Sequence, residues 1–307
     1  MARTIQYLSA RSWLAVSFLF CFALATTAAL AANRETAGPD GLFSVPVGDA
    51  MWGYRSKGSG PPAVLLHGFF LHSALWLDQL NGLSDIRRVI APDLRGWGRS
   101  EPVTDLPLDY YRYADDIVTF LDAIGVEDKI DLVGMSATAF IAGLVYERIP
   151  DRVASVTLIS GNFDLGSNPA YKRYQQELAR LVVVEGKDVL FRRFDEYIDG
   201  PVNSLHARAR YKQMILDTRT EMFVAFFAGT GLTEGRPDLP GKVKVPVLLP
   251  VGTADIVFTP EDVARMSNRF PDARVVQFKT AGRLLPLESP TELNAALRNF
   301  WTGPAAR

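Results

Sequence analysis

Two hydrophobic periodicities take turns along this chain. Short, nearly continuous apolar runs at Ala63–Leu66, Arg88–Ala91, Ile130–Val133, Val153–Ile159 and Val247–Val251 have the pattern of strands covered on both faces. Ahead of them, Leu42–Val47 alternates apolar and small residues and pairs, on pattern, with Trp52–Ser56 as an antiparallel ribbon. Between the runs the period is helical: Tyr113, Ile117, Leu121 and Ile124 share one face, and Ala137–Glu147 is apolar and broken only by Gly143. Strands alternating with helices predict an α/β fold with a doubly wound, mostly parallel sheet.

The alternation stops near Gly161. From Asn162 to Gly241 the pattern is mostly helical and more charged, with helices expected at Tyr171–Leu181, Val189–Tyr197 and His206–Phe227 before a loop at Gly229–Pro240. It resumes at Val245-Pro246-Val247, followed by a helix at Glu261–Phe270, a strand at Val275–Phe278 and a last helix at Thr291–Trp301. The expected organisation is a core of residues 42–161 and 242–307, with residues 162–241 inserted as a helical lid. Such a lid lies over the carboxyl ends of the strands, where open α/β sheets bind ligands. Its aromatic residues, Tyr171, Tyr174, Phe191, Phe194, Tyr197, Phe223, Phe226 and Phe227, suit either an apolar pocket roof or plain packing of lid on core.

Composition narrows the function classes. With 307 residues, 48% of them hydrophobic, and a formal net charge of −1, the chain has apolar material for a large core and no electrostatic footprint for nucleic acid or anionic lipid. Residues 1–31 read as a secretory signal peptide: Arg3 and Arg11 precede an apolar run, Trp13–Ala25, and Ala29-Leu30-Ala31 places small residues at the cleavage positions. The competing reading is a membrane anchor, but the run is shorter than the ~20 apolar residues a span needs. Cys21, the single cysteine, lies within this segment. The mature chain is therefore expected to be periplasmic or secreted, without a membrane span, a disulfide or a cysteine nucleophile. Three scattered histidines suggest no metal site, and no cofactor is expected. The expected partner is a small-molecule substrate or ligand.

Candidate chemistry sits at strand ends. Gly134-Met135-Ser136-Ala137-Thr138 lies between a strand and an apolar helix, the setting of a nucleophile elbow, in which a sharp turn presents a serine hydroxyl above the sheet. Thr138 stands where the usual pattern has a second glycine, so the motif alone also fits an ordinary strand–helix turn. Ala137, opening the helix, is placed to offer its amide to developing negative charge, and Phe69 in His67-Gly68-Phe69 is placed to offer a second. His67 itself reads as a loop histidine bonded to backbone. Asp93-Leu94-Arg95-Gly96-Trp97-Gly98-Arg99-Ser100 reads as a structural loop whose charges pair internally. Asp255 ends the Val247–Val251 strand at the same sheet edge as Ser136, as a catalytic carboxylate or as a helix or turn cap before Pro260.

In this order and spacing the chain resembles the α/β-hydrolase superfamily, in its small capped esterase, haloperoxidase and dehalogenase-like branch. The likeness runs from about Phe43 to Trp301 and is specific in His67–Trp76, Asp93–Ser100, Lys129–Thr138 and Val245–Pro260. It implies that Ser136 occupies the nucleophile position, Asp255 the triad acid position, and Phe69 and Ala137 the oxyanion positions. Dehalogenases of this branch carry an aspartate at the nucleophile position, so the serine argues against that reaction.

One position departs from the pattern. In Ala281-Gly282-Arg283-Leu284-Leu285-Pro286-Leu287-Glu288-Ser289-Pro290, Arg283 stands where the family places its triad histidine. A guanidinium stays protonated below about pH 12 and has no acceptor lone pair, so it cannot take the serine proton. His72, near the pocket mouth, and His206, in the lid, are the candidate substitute bases, though each reads more readily as a solvated loop or lid residue. Three functions follow: a serine hydrolase of small esters or related acyl compounds impaired at its base, an inactive ligand-binding relative, or a lyase or perhydrolase on the same scaffold. A further expectation is a charge-assisted pair between Arg283 and Asp255 beside Ser136.

Overall fold

The computed structural model describes residues 41–102, 109–161, 163, 169–189, 205–228, 236, 238–255, 257–270 and 272–303. The strands are β1 Leu42–Val47, β2 Ala50–Lys57, β3 Pro62–Leu66, β4 Arg88–Pro92, β5 Ile130–Met135, β6 Val153–Ile159, β7 Val247–Gly252 and β8 Arg274–Phe278. They form one sheet in the order β1-β2-β4-β3-β5-β6-β7-β8. β1, β2 and the β2–β4 pairing are antiparallel; every pairing from β4 through β8 is parallel. This is the doubly wound sheet that the apolar runs predict, and β3 and β5 are buried along their whole length, as strands covered on both faces must be.

The helices are α1 Leu77–Leu83, α2 Tyr110–Ala123, α3 Ala137–Arg148, α4 Pro169–Glu185, α5 Leu205–Asp217, α6 Thr220–Ala228, α7 Leu239–Lys242, α8 Pro260–Arg269, α9 Leu285–Glu288 and α10 Pro290–Thr302. Ten consecutive residues of α3, Ala137–Tyr146, are buried, so this helix is enclosed rather than amphipathic. No helix among the described residues is long and apolar enough to cross a membrane.

Residues 162–241, expected as a helical insertion, differ from their pattern in one described respect. The helix expected at His206–Phe227 is two helices, α5 and α6, broken at Thr218-Arg219. The Thr218 hydroxyl lies 3.0 Å from the Met214 carbonyl, a back-bond of the kind that bends helices, and 3.1 Å from the Phe70 carbonyl of the core. Arg219 donates to the carbonyls of Gly96, at 3.0 Å, and Ser100, at 3.1 Å. The chain turns there because these two side chains fasten it to the core loops. Most of the helix expected at Val189–Tyr197 and of the loop expected at Gly229–Pro240 lies outside the described residues.

The topology fixes where a ligand site belongs. β3 is followed by β4 on one side, whereas β5 lies on its other side, so the connections part between β3 and β5. The crevice beyond their carboxyl ends is the switch point at which open α/β sheets bind ligands. Leu66 of β3 is in register with Gly134 of β5, so the His67-Gly68-Phe69 turn and Ser136 emerge side by side.

Candidate active site

Ser136 sits at the junction of β5 and α3 with φ 60° and ψ −126°, a conformation that disfavours any L-residue. Such strain costs on the order of 1–3 kcal/mol and persists only where surrounding contacts over-determine it. Here they do. The Ser136 amide donates to the Ile159 carbonyl at 2.9 Å, and the Ser136 carbonyl accepts from Ala139 at 3.1 Å. The backbone packs so tightly that a Cβ on Gly134 would lie 2.4 Å from the Thr138 carbonyl oxygen, and one on Gly161 would lie 2.2 Å from that of Ser136.

Thr138, the residue that departs from the motif's second glycine, is part of this clamp. Its fully buried hydroxyl accepts from the Met135 amide at 2.9 Å and lies 3.1 Å from the Leu66 carbonyl of β3. The strained turn is therefore tied to the neighbouring strand by a side chain that glycine lacks.

The Gly68 turn packs on this elbow: a Cβ on Gly68 would lie 3.6 Å from the Ser136 Cβ. The Phe69 and Ala137 amides, one in that turn and one opening α3, have no hydrogen-bond acceptor among the described residues. An N–H on the residue after the serine and another in the turn packed on the elbow are the kind of groups from which an oxyanion hole is built.

His67 holds the turn in shape. It is fully buried, its Nδ1–H donates to the Gly68 carbonyl at 2.8 Å, and its Nε2 accepts from the Leu94 amide at 3.0 Å. That pairing fixes a neutral imidazole. Burial pushes its pKa down to about 4, against the raising influence of the Gly68 bond and the Asp93 charge. Asp93 fastens the same region, accepting from the Ser73 amide at 2.6 Å and the Arg99 amide at 3.0 Å.

A pH dependence of stability follows. Between about pH 6.5, the ordinary value, and about pH 4, the unfolded chain binds a proton at His67 that the native chain does not. Stability is thus expected to fall as pH drops through that window, by on the order of 3 kcal/mol over its full width. Glu288 acts in the opposite sense, because burial raises its carboxyl pKa. The discriminating measurement is an NMR titration of His67 in the folded protein; an imidazole that protonates at its ordinary value contradicts the assignment.

Asp255 is buried at the end of β7, 4% exposed. Its Oδ1 accepts from the Val257 and Phe258 amides, both at 2.9 Å, so it does cap a turn. It is not the helix cap, which is Thr259 in a reciprocal capping box with Asp262. Its Oδ2 is buried and has no hydrogen-bond partner among the described residues.

Arg283 does not pair with Asp255, contrary to the expectation from sequence. It donates through Nη2 to Ser136 Oγ, its Nη1 is buried without a partner, and no described carboxylate forms an ion pair with it. The cause is the turn that carries it. Glu288 accepts from the Gly282 amide at 2.6 Å and the Leu284 amide at 2.7 Å, bracing Arg283 from both sides. The same turn packs on the β7 loop so closely that a Cβ on Gly252 would lie 2.1 Å from the Gly282 carbonyl oxygen. Held this way, the long side chain reaches the serine, while Asp255 spends one oxygen on backbone amides. Sequence reasoning did not single out Glu288; the available signal was a carboxylate six residues after Gly282, within reach of the turn it closes.

Neither candidate substitute base hydrogen-bonds to Ser136 among the described contacts. The Nδ1 of His72 accepts from the Ala74 amide at 3.3 Å, and its Nε2 lies 3.4 Å from an Asp217 carboxylate oxygen of α5 without a hydrogen bond. His206 is exposed near the start of α5. Among the described residues, the only side chain that touches Ser136 Oγ through a hydrogen bond is one that cannot accept a proton.

Comparison with known proteins agrees with this architecture. The sequence model described as alpha/beta hydrolase fold matches residues 61–290. Epoxide hydrolase A of Mycobacterium tuberculosis is 27% identical over 294 residues, covering 79% of this chain and 91% of that protein. The cis-3-alkyl-4-alkyloxetan-2-one decarboxylase of Shewanella oneidensis is 24% identical, covering 81% of this chain and 84% of the other. Among solved structures, a thermophilic esterase from Thermogutta terrifontis with malate bound superposes with a TM-score of 0.76 at 26% identity, covering 84% of this chain and 97% of that one.

Proposed function

Since the chain belongs to the alpha/beta hydrolase fold family, we propose that it is an exported serine-type hydrolase scaffold for small esters or related acyl compounds, slowed by the loss of its base. The observation that carries this reading is the hydrogen bond from Arg283 to Ser136 Oγ at an otherwise assembled elbow. The strained serine, two amides without acceptors among the described residues and a buried carboxylate with one open oxygen supply, apart from a base, the parts used in acyl transfer. An esterase among the structural neighbours supports the substrate class. Export rests on the N-terminal pattern of Arg3, Arg11, Trp13–Ala25 and Ala29-Leu30-Ala31.

The consequence of Arg283 is chemical. Attack by Ser136 requires its proton to leave as the Oγ–carbonyl bond forms, and a guanidinium offers no lone pair to receive it. The same guanidinium stabilises a serine alkoxide electrostatically, so the remaining route is loss of the proton to hydroxide. Hydrolysis of p-nitrophenyl butyrate is therefore expected to be slow near neutrality and to climb with pH at a logarithmic slope of about one, without the plateau that an imidazole base produces. A fluorophosphonate should label Ser136 equally slowly. Ordinary enzyme rates with a plateau near neutral pH would show that another base operates and would overturn the reading.

One observation favours a second reading, ligand binding without turnover: Arg283 already occupies the serine hydroxyl with a charged donor. A decarboxylase is among the relatives. Lyase chemistry of that kind is not favoured here, because Arg283 supplies neither acid nor base near neutral pH.

A further inference from the structure

Among the described residues, the positive charge of Arg283 has no ion-pair partner. Arg283 is half-buried, its Nη2 is on Ser136 Oγ and its Nη1 is buried without a partner. Two carboxylates lie in the adjoining loops, yet neither pairs with it. Asp255 is turned to the Val257 and Phe258 amides through Oδ1, and Glu288 to the Gly282 and Leu284 amides. A desolvated guanidinium left in this state is costly unless something anionic meets it. Beside it stand the Phe69 and Ala137 amides, also without acceptors, and the N-terminus of the twelve-residue helix α3.

We infer that the site has become a receptor for small monocarboxylates, the acids rather than their esters; the inference rests on reading the Ser136 site as an acyl site. A neutral ester carbonyl satisfies the amides and leaves Nη1 unmatched. A carboxylate satisfies both: one oxygen accepts from the Phe69 and Ala137 amides while the other accepts from the guanidinium, whose planar fork suits it. Arg283 offers one positive charge, so a second negative charge on the ligand would go unmatched by it, which disfavours dicarboxylates and phosphate. The side chains next to the site are apolar: Phe69 packs against Tyr110 at 5.8 Å and Phe226 at 4.9 Å between ring centroids, and Tyr110 against Phe140 at 5.4 Å. They favour a short alkyl or aryl tail on the acid.

The test is calorimetric titration of the whole protein with butyrate, with the neutral isostere butyramide and with inorganic phosphate. Butyrate should bind saturably; butyramide should bind at least about tenfold more weakly because it lacks the charge-assisted bond, and phosphate at least about tenfold more weakly because it has no tail to bury against Phe69, Tyr110 and Phe226. Arg283→Gln should lose butyrate by at least about tenfold, with its fold checked by thermal unfolding. Equal binding of butyramide or phosphate, or butyrate affinity unchanged in Arg283→Gln, overturns the carboxylate assignment. If butyrate does not bind, while Arg283→His hydrolyses p-nitrophenyl butyrate, the assignment fails and the acyl-site reading stands. If both experiments are negative, both fail.

Discussion

Arg283→His is expected to raise hydrolysis of p-nitrophenyl butyrate near neutral pH by at least about a thousandfold over the unmodified protein, since losing the imidazole of a comparable serine triad costs on the order of 10⁶ in turnover. The serine and the carboxylate such an imidazole would need are both present. Ser136 is held in the strained elbow by the Thr138 hydroxyl and the Ile159 carbonyl, and Asp255 keeps Oδ2 without a partner. An imidazole at position 283 has an ordinary pKa near 6.5, so its neutral form can accept the serine proton while its other nitrogen donates to that oxygen. The Glu288 brace on the Gly282 and Leu284 amides does not involve the side chain at 283, so the turn should survive the exchange. The pH profile should change with the rate, from a continuous climb to a plateau above the imidazole pKa. Ser136→Ala in the same background should remove the gain. A folded, inert Arg283→His variant would mean that the geometry around position 283 suits binding alone.

The fold was legible because its strands are nearly unbroken apolar runs and its helices repeat at helical spacing. The elbow was legible from the same patterns, as a serine between such a strand and an apolar helix. What the sequence hid were choices among partners. The charges of Asp93-Leu94-Arg95-Gly96-Trp97-Gly98-Arg99-Ser100 were expected to satisfy one another, and proximity along the chain made that reading natural. In the fold, Asp93 serves the amides of Ser73 and Arg99, while Arg95 turns outward to Asp116 on α2, 21 residues away. The Arg283–Asp255 pair was expected because both loops leave one sheet edge. Opposite charges at one edge do not specify a contact when backbone amides compete for the carboxylate and a longer reach satisfies the cation elsewhere. The break between α5 and α6 was hidden for the same reason. Thr218 and Arg219 end a helix through carbonyls of Phe70, Gly96 and Ser100, which no local pattern reveals.

Asp116→Ala is expected to be among the most destabilising single substitutions in the core. Arg95 and Asp116 are 8% and 5% exposed and bond in parallel, Nε to Oδ2 at 2.6 Å and Nη2 to Oδ1 at 3.0 Å. Removing one partner of a buried ion pair costs about 3–5 kcal/mol, because the other charge stays desolvated. Relief is limited here: the second carboxylate on Arg95 is Asp49, 2.8 Å away, whose side chain is 63% exposed and gives up little hydration in return. For a chain of this size the loss corresponds to roughly 10 °C in the thermal midpoint. The site should feel it too, because the loop that Arg95 anchors bonds His67 through the Leu94 amide and receives Arg219 from between α5 and α6. Replacing both charges with apolar groups separates the causes. If the penalty is stranded charge, Arg95→Met with Asp116→Leu should recover a large part of the lost stability. A double variant as unstable as Asp116→Ala alone would show that the pair's packing and hydrogen bonds, rather than its charge balance, hold the loop to α2.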